Sequence, residues 1–369
     1  MLGRILLPLV LTLLGATPAF AQSSNSDATV RVVDIGAGLC VIISVPGDHA
    51  MLYDAGPPGA ARCRDAAREL VPGRKFDLVV LSHSDNDHIS MLPALLDKRA
   101  NGAASEFFAG VIIHPGDPRG PALDPVRRAI TYQGRRGATV FNLFEADHPS
   151  PGSPTSAVIR PGDSFAIGAA RATFVAGWSN GNMSRGPGED ELEGGPLNNA
   201  ISIVIRFDYG GHSVLLTGDT VGRMIGDPAN TCAYAERFMV ANQQRTPIDS
   251  DVLIGQHHGA DNASSTCFAS AVTPQYVIFS AGHKYHHPTE RAADRLISGG
   301  GVAATNILRT DRGDNEGASE MTAGSGRCPD VRGDDDVEVL LPQSTTAPIS
   351  VSYRSPSARC VRQPPRRRR

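Results

Sequence analysis

The sequence is poor in lysine and aromatic residues. Only three of its 369 residues are lysine and its formal net charge is −3, so no excess of positive charge indicates a nucleic-acid-binding protein. Aromatic residues make up 5% of the chain, which argues against a stacking surface for single-stranded nucleic acid. No GxxxxGKS/T loop occurs, so the chain lacks the usual loop that binds nucleotide phosphates. The content of 41% hydrophobic and 20% charged residues excludes a disordered chain.

Beyond its start, the chain has no apolar run that could span a bilayer. Residues 1–4 form a short basic start, and Ile5–Leu14 is an apolar run. Ala19-Phe20-Ala21 then supplies the small residues that a signal peptidase recognises. The apolar run is too short for a membrane anchor, which is the alternative interpretation. We therefore predict a bacterial signal peptide over residues 1–21, a polar leader over 22–28, and a periplasmic or secreted mature protein without a transmembrane segment.

Six cysteines follow the predicted signal peptide, and none of them forms a CxxC pair. The missing CxxC spacing argues against a cysteine-rich zinc site or a thioredoxin-type redox site, whereas an even count in an exported protein favours disulfides. Spacing alone does not determine which cysteines pair. Our hypothesis is sequential pairing: Cys40 with Cys63, Cys232 with Cys267, and Cys328 with Cys360.

Short strand-like segments alternate with helix-like segments, which is typical of a layered α/β protein with sheet packed on sheet and helices outside. Phe76–Ser82 is an apolar strand of the buried kind, and a helix is predicted from Asp87 to Leu96. The glycines of Asp34–Gly38 are interpreted as a tight hairpin turn, because a dinucleotide fingerprint would need its third glycine at Val41. We predict one large domain over residues 29–315, and a C-terminal β/loop extension over 316–369 that ends in a solvated arginine tail.

The strongest chemical signal is the run His83-Ser84-Asp85-Asn86-Asp87-His88, which directly follows the buried strand. This position is the carboxyl edge of a sheet, where α/β folds place their sites. Two imidazoles and two carboxylates suit a divalent ion such as Zn²⁺ or Mn²⁺. Four side chains from so short a loop cannot reach one ion without strain, so we predict two adjacent ions that share them. A polar loop that caps a helix through Asp87 is the alternative.

Three later segments also place polar residues after an apolar strand. The strand Leu215–Thr217 is followed by Gly218-Asp219, whose carboxylate can bridge two ions. Asp251–Gly255 precedes His257-His258, and Gln275–Ser280 precedes the histidine-rich segment 283–287. Adjacent histidines point apart in an extended chain, so at most one of His257 and His258 is a comfortable ligand of a given ion. The other would lie behind that ligand or act as an acid.

In this order and spacing, the motifs resemble the metallo-β-lactamase superfamily and, within it, the hydrolase domain of the ComEC-type DNA-uptake proteins of competent bacteria. The resemblance covers roughly residues 29–315. Its marks along the chain are Asp34-Ile35-Gly36-Ala37-Gly38, Tyr53-Asp54-Ala55-Gly56, the run from His83 to His88, Asn199 with Ser202, Leu216-Thr217-Gly218-Asp219, His257-His258-Gly259 and Tyr285-His286-His287-Pro288. The resemblance implies an αββα sandwich with a cleft for two metal ions on its edge.

The resemblance also implies a role for each side chain of that cleft. Six ligands are implied. His83 and Asp85 would hold the first ion, and Asp87 and His88 would hold the second. Asp219 would bridge the two ions, and His287 would complete the set of the second ion. His257 and His258 would each act as ligand or proton donor, and with Asp87 they form the predicted catalytic set. Asn199 stands where many members of the superfamily have a histidine. The first site is therefore poor in imidazole, which weakens it for Zn²⁺ and favours Mn²⁺.

These observations predict an exported, metal-dependent hydrolase in which two divalent ions, Zn²⁺ or Mn²⁺, hold a hydroxide that attacks the substrate. Our first hypothesis is a phosphodiesterase or nuclease, although the negative net charge does not favour tight binding of nucleic acid. The second is a hydrolase of a carbonyl substrate, such as a β-lactam, lactone or thioester. The third is a non-catalytic exported binding protein. The ComEC-type proteins also carry a membrane channel, which this sequence does not show, so we do not expect DNA uptake itself.

Overall fold

Two β-sheets face each other and helices cover both outer faces in a computed structural model of the chain, as predicted for an αββα sandwich. The structure describes residues 26–116, 123–144, 159–177, 192–312, 319–321 and 335–355. Within them the first sheet has the strand order β15-β14-β1-β2-β3-β4-β5-β6, and the second has the order β13-β12-β11-β10-β9-β8-β7.

The first sheet contains the strands β1 (Ala28–Val32), β2 (Val41–Val45), β3 (His49–Tyr53), β4 (Lys75–Val80), β5 (Phe108–His114), β6 (Thr139–Asn142), β14 (Val337–Leu341) and β15 (Ser350–Tyr353). The second contains β7 (Ser164–Ile167), β8 (Ala170–Ala176), β9 (Val204–Tyr209), β10 (His212–Leu216), β11 (Val252–Ile254), β12 (Tyr276–Phe279) and β13 (Ile307–Arg309). The α-helices are α1 (Ala61–Leu70), α2 (Asn86–Ile89), α3 (Leu92–Leu96), α4 (Asp124–Arg135), α5 (Gly194–Ala200), α6 (Tyr234–Asn242), α7 (Thr266–Val272) and α8 (Glu290–Gly300).

The apolar runs of the sequence become strands whose two faces are both buried. In the segment that includes β4, Leu78 and Val80 belong to the core between the sheets, whereas Val79 and Leu81 face the helices. This arrangement explains why the segment shows no polar alternation, because a strand covered on both faces has no solvent side. On the second sheet, α6, α7 and α8 cover the outer face.

Parallel strand pairs bring the polar motifs of the sequence to one edge of the sandwich. Strands β3 to β6 pair in parallel in the first sheet, and β10 to β13 pair in parallel in the second. The segments that follow β3, β4, β10, β11 and β12 therefore leave their sheets at carboxyl ends. These segments carry Asp54, the run from His83 to His88, Asp219, His257-His258 and residues 283–287.

Two of the hypothesised disulfides are confirmed. Cys40, just before β2, pairs with Cys63 on α1, and Cys232, just before α6, pairs with Cys267 on α7. The hypothesised third pair, Cys328 with Cys360, lies outside the described residues, as do the predicted signal peptide, most of the leader and the arginine tail. Within the described part, no helix combines the length and apolar character needed to cross a membrane.

Local chemistry explains where the elements differ from the predictions. The helix predicted over Asp87–Leu96 is two short helices, α2 and α3, because Pro93 lies in the first turn of a new helix, where its missing N–H costs nothing. No helix was predicted at α7, where the Ser265 hydroxyl caps the first turn by accepting from Phe268 N at 3.1 Å. Helix α5 was missed because Gly194-Gly195-Pro196 has low helix propensity.

Candidate metal centre

The loop after β4 carries four of the predicted ligands, and backbone contacts from two segments hold it in place. Ala55 N and Gly56 N donate to the carbonyl oxygen of His88 at 2.6 and 3.0 Å, and Leu39 N donates to that of Asp87 at 3.2 Å. At Gly38 the φ angle is +141°, and an added Cβ would lie 2.4 Å from the Asp87 carbonyl oxygen. Because β1 and β2 pair antiparallel, the expected hairpin at Asp34–Gly38 is present, but its connection is longer than a tight turn. Residues 33–40 form a longer connection between β1 and β2 that packs against the ligand loop.

A first group of side chains surrounds one oxygen of Asp219. His83 Nε2 lies 3.9 Å and His257 Nε2 lies 3.7 Å from Asp219 Oδ2, and His83 Nε2 lies 3.6 Å from Asp85 Oδ2. The Asn199 carboxamide lies between His257 and Asp85, with one atom 3.0 Å from His257 Nε2 and the other 3.2 Å from Asp85 Oδ2. The amide orientation that satisfies the carboxylate has Nδ2 donating to Asp85. This group brings together His83, Asp85 and Asp219, whose roles at the first ion and as the bridge stay predictions.

A second group meets on the other side of Asp219. His88 Nε2 lies 3.2 Å from Asp219 Oδ1 and 3.2 Å from His258 Nε2, and His258 Nε2 lies 3.8 Å from Asp87 Oδ2. His258 Nε2 is also 3.4 Å from Asp219 Oδ2. Asp87, His88 and His258 thus form one cluster, and His83, His88 and Asp219 form another that overlaps with it.

The donor atoms fit divalent ions in spacing and in chemistry. Two ligands of one tetrahedral Zn²⁺, each about 2.1 Å from the ion, are about 3.4 Å apart. The observed separations of 3.2–3.9 Å between donor atoms bracket that value. His83 Nε2 and Asp219 Oδ1 are buried and have no hydrogen-bond partner. Because buried polar atoms are rarely left without a partner, these two atoms indicate that a bound cation is their partner.

His257 and His258 both face Asp219, although they are neighbours in the chain. The expectation that they point apart assumed an extended backbone, but their φ angles are 45° and 54°, in the left-handed region. A non-glycine residue held there stores strain, which is common at functional sites. His258 Nδ1 is 2.6 Å from the Ser280 carbonyl oxygen and His257 Nδ1 is 2.8 Å from Asn262 Oδ1. Each contact turns the Nε2 atom toward the cluster.

His287 lies beside the cluster, next to His257 rather than next to Asp87 and His88. Its ring centroid is 6.0 Å from that of His257, and its buried Nδ1 has no hydrogen-bond partner. The cluster that contains Asp87 and His88 instead includes His258. The assignment of His287 as the last ligand of the second ion stays a prediction.

Asp54 is a functional residue to which the sequence assigned no role. It is fully buried, and its carboxylate accepts from Ser82 N at 2.7 Å, from Ser82 Oγ at 2.6 Å and from His88 Nδ1 at 2.7 Å. The Ser82 hydroxyl is thereby left to accept from His83 Nδ1, 3.0 Å away. Both histidines then carry their proton on Nδ1 and present a bare Nε2 to the cluster, as metal ligation requires. The sequence signal was the Tyr53-Asp54 pair at the end of an apolar strand, a pattern shared with the other ligand segments.

Without cations, the centre is electrostatically frustrated. Burial opposes a charge on the His88 imidazole, but Asp219 and Asp54 outweigh that effect and raise its pKa well above the usual value. Burial also opposes ionisation of Asp219, and the surrounding His258, His88 and His257 lower its pKa well below the usual value. Burial and the neighbouring imidazoles lower the pKa of His287 to about 4, so it is neutral at neutral pH. The site is therefore built to concentrate negative charge around a positive species.

A cleft of about 1070 Å³ opens beside the cluster. Asp85 and Asp87 border it on one side, Lys284 and Tyr285 border it on another, and Pro125 and Val126 of α4 contribute an apolar wall. A molecule in this cleft would contact the same two carboxylates that face the proposed ions.

Comparison with known proteins assigns the chain to a class. The family model of the metallo-β-lactamase superfamily matches residues 33–257, and the chain belongs to this superfamily. The resemblance inferred from the motifs, including its ComEC-like character, is thus confirmed.

Two curated relatives are competence proteins. The chain is 26% identical over 290 residues to competence protein ComA of Neisseria gonorrhoeae, which covers 78% of this chain and 31% of that protein. It is 22% identical over 314 residues to ComE operon protein 3 of Bacillus subtilis (strain 168), with 78% and 32% covered. The chain therefore spans about a third of the length of these relatives. Among solved structures, the metallo-β-lactamase fold protein YhfI of Bacillus subtilis is similar at a TM-score of 0.43 and 14% identity, with 76% of this chain and 95% of that chain covered.

Proposed function

We propose that this protein is an exported metal-dependent hydrolase that cleaves phosphodiesters. The observation that carries the proposal is the convergence of five side chains, two of whose donor atoms, His83 Nε2 and Asp219 Oδ1, are buried without a hydrogen-bond partner: Asp87, His88, His258, His83 and Asp219. Bound there, divalent ions would supply Lewis acidity and would lower the pKa of water enough for it to ionise near neutral pH.

The protein's own residues orient the centre and position the substrate beside it. Asp54 and Ser82 fix the proton positions of His83 and His88 through contacts of 2.6–3.0 Å. His257, whose pKa is lowered chiefly by burial, is neutral and partly accessible at the edge of the cluster. We infer that the neutral His257 takes up the proton released by the attacking water and then passes it to the leaving oxygen, while His258 serves as a ligand. A group within hydrogen-bond reach of the substrate is required for that role.

The donor set supports a phosphodiester over a carbonyl substrate. Three carboxylates, Asp85, Asp87 and Asp219, contribute oxygen donors, and Asn199 lies at the position between Asp85 and His257. Oxygen-rich sites suit harder ions such as Mn²⁺, which bind phosphoryl oxygens well. Similarity to competence protein ComA and to ComE operon protein 3 gives further support for a phosphodiester substrate.

Export is part of the same proposal. The disulfides Cys40–Cys63 and Cys232–Cys267 would persist in an oxidising compartment such as the periplasm and are rare in the cytosol. The predicted signal peptide over residues 1–21 agrees with that location.

A substrate panel with two metals tests the proposal. The purified protein is loaded with Mn²⁺ or Zn²⁺ and assayed with bis-p-nitrophenyl phosphate, single-stranded DNA, nitrocefin and a lactone. We expect turnover of the phosphodiesters, and we expect Asp87→Ala to abolish it, whereas Asp65→Ala, at an exposed carboxylate on α1, should keep the full rate. Turnover of nitrocefin or the lactone alone would replace the proposal with a carbonyl hydrolase. Bound metal without any turnover would indicate a binding protein.

A further inference from the structure

More negative than positive side chains line the cleft, and most of the negative ones already have a partner or face the metal centre. Four aspartates line the cleft, and Lys284 is the one lysine or arginine among the described residues that do so. Asp85 and Asp87 face the metal centre. Asp311 accepts from the buried Arg309 at 2.7 and 2.9 Å, and Asp34 Oδ1 accepts from Gly36 N at 3.3 Å. With two cations bound, Lys284 is the positive group left to meet a ligand.

Lys284 lines the cleft, and a series of contacts between aromatic and imidazole rings connects it to the metal centre. Its Nζ lies 4.5 Å from the ring centroid of Tyr285, a cation–π contact that limits the reach of a long, exposed side chain. The Tyr285 ring is 6.2 Å from that of His287, which is 6.0 Å from that of His257. The ammonium group therefore lies within a few side chains of the proposed reaction centre.

The buried charged residues Arg309 and Glu320 anchor the loop that carries Lys284. Arg309 is 1% exposed, and its Nη2 donates to the His287 carbonyl oxygen at 3.1 Å and to Glu320 Oε2 at 3.3 Å. Glu320 in turn pairs with His286 Nδ1 at 2.8 Å, and Met321 N donates to the Pro288 carbonyl oxygen at 2.9 Å. An anchored loop holds its lysine in one place, so less entropy is lost when an anion binds.

We propose that Lys284 forms a subsite for a second phosphate group, next to the phosphodiester that is cleaved. The inference rests on the proposed function and narrows it to diesters with a phosphate on the neighbouring sugar, such as nucleoside 3′-phosphate 5′-diesters and short oligonucleotides. A single ammonium group among four carboxylates serves one extra phosphate and not an extended polyanion. The apolar wall formed by Pro125 and Val126 of α4 leaves room for an uncharged sugar or base.

A matched pair of chromogenic diesters tests the subsite. Thymidine 5′-(p-nitrophenyl phosphate) is compared with the same compound carrying a 3′-phosphate, using the full metal-loaded chain. We expect Lys284→Gln to lower kcat/KM about tenfold for the 3′-phosphorylated compound, the size of one charged hydrogen bond, and less than about twofold for the other. Lys284→Arg should keep the preference, and Lys98→Gln, at an exposed lysine, should change neither rate. An equal loss on both compounds, or no loss on either, would overturn the subsite while leaving the diesterase activity intact.

A binding measurement separates the subsite from the proposed activity. Calorimetry compares thymidine 3′,5′-bisphosphate with thymidine 5′-phosphate on the wild type and on Lys284→Gln. Tighter binding of the bisphosphate, lost in the variant, supports the subsite even if no diester is hydrolysed, in which case only the proposed function fails. Equal binding of the two nucleotides by the wild type overturns the subsite.

Discussion

Replacing Asp54 by asparagine should weaken His88 as a metal ligand without changing any of the predicted ligands themselves. An asparagine keeps one acceptor for Ser82 N, but its Nδ2 would then face the Ser82 hydroxyl and His88 Nδ1, which lie 2.6 and 2.7 Å from the present Oδ2. To accept from that amide, His88 would move its proton to Nε2, the atom that lies 3.2 Å from Asp219 Oδ1. The lone pair needed for the ion would be lost.

The expected loss is large because the contacts are buried and one partner is charged. Replacing such an orienting carboxylate lowers metal affinity about 10- to 100-fold, or about 1.4–2.7 kcal/mol. The assay is metal content after dialysis against graded chelator, with catalytic rate as a second readout. Asp77→Asn is the matched control, because Asp77 Oδ2 also lies 2.8 Å from a histidine Nδ1, that of His49, outside the cluster. Unchanged affinity in Asp54→Asn, or an equal loss in the control, would refute the reasoning.

Three further outcomes follow from the same contacts. Adding Mn²⁺ or Zn²⁺ at 100 times its dissociation constant should stabilise the fold by about 2.7 kcal/mol, seen as a rise in Tm that a chelator reverses. Replacing both Cys40 and Cys63 by alanine should cost about 3 kcal/mol in a denaturant titration, given their separation of 23 residues. Burial raises the pKa of Glu236 to about 7, so its ionisation disfavours folding. The wild type should therefore lose stability as pH rises from about 4.5 through 7, and Glu236→Gln should flatten that slope; equal slopes would show that Glu236 is not responsible.

The sequence was most informative where one short segment carries both a strand and its ligands. The run from His83 to His88 follows a strand buried on both faces, so its place at a sheet edge could be inferred from the local pattern alone. Asp219 was identified by the same logic after β10.

Contacts between residues far apart in the chain could not be predicted in the same way. The role of Asp54 depends on the parallel pairing of β3 with β4, which sets its carboxylate 2.7 Å from Ser82 N. The grouping of His258 with Asp87 depends on left-handed backbone angles that the residue type disfavours. No single-sequence pattern reports strand order, and strain at a histidine pair runs against propensity, so both features required the folded chain.

The place of the last two strands has a practical consequence for truncated forms of the protein. Strand β14 pairs along the whole of β1, from Ala28↔Leu341 to Val32↔Val337, and Val337, Val339 and Leu341 are completely buried between the sheets. A fragment that stops at residue 315 would bare the hydrogen-bonding edge of β1 together with the apolar surface that these side chains cover. Such an open edge recruits other chains, so this fragment should precipitate or form higher-order species during expression, whereas one that extends through Tyr353 should stay monodisperse.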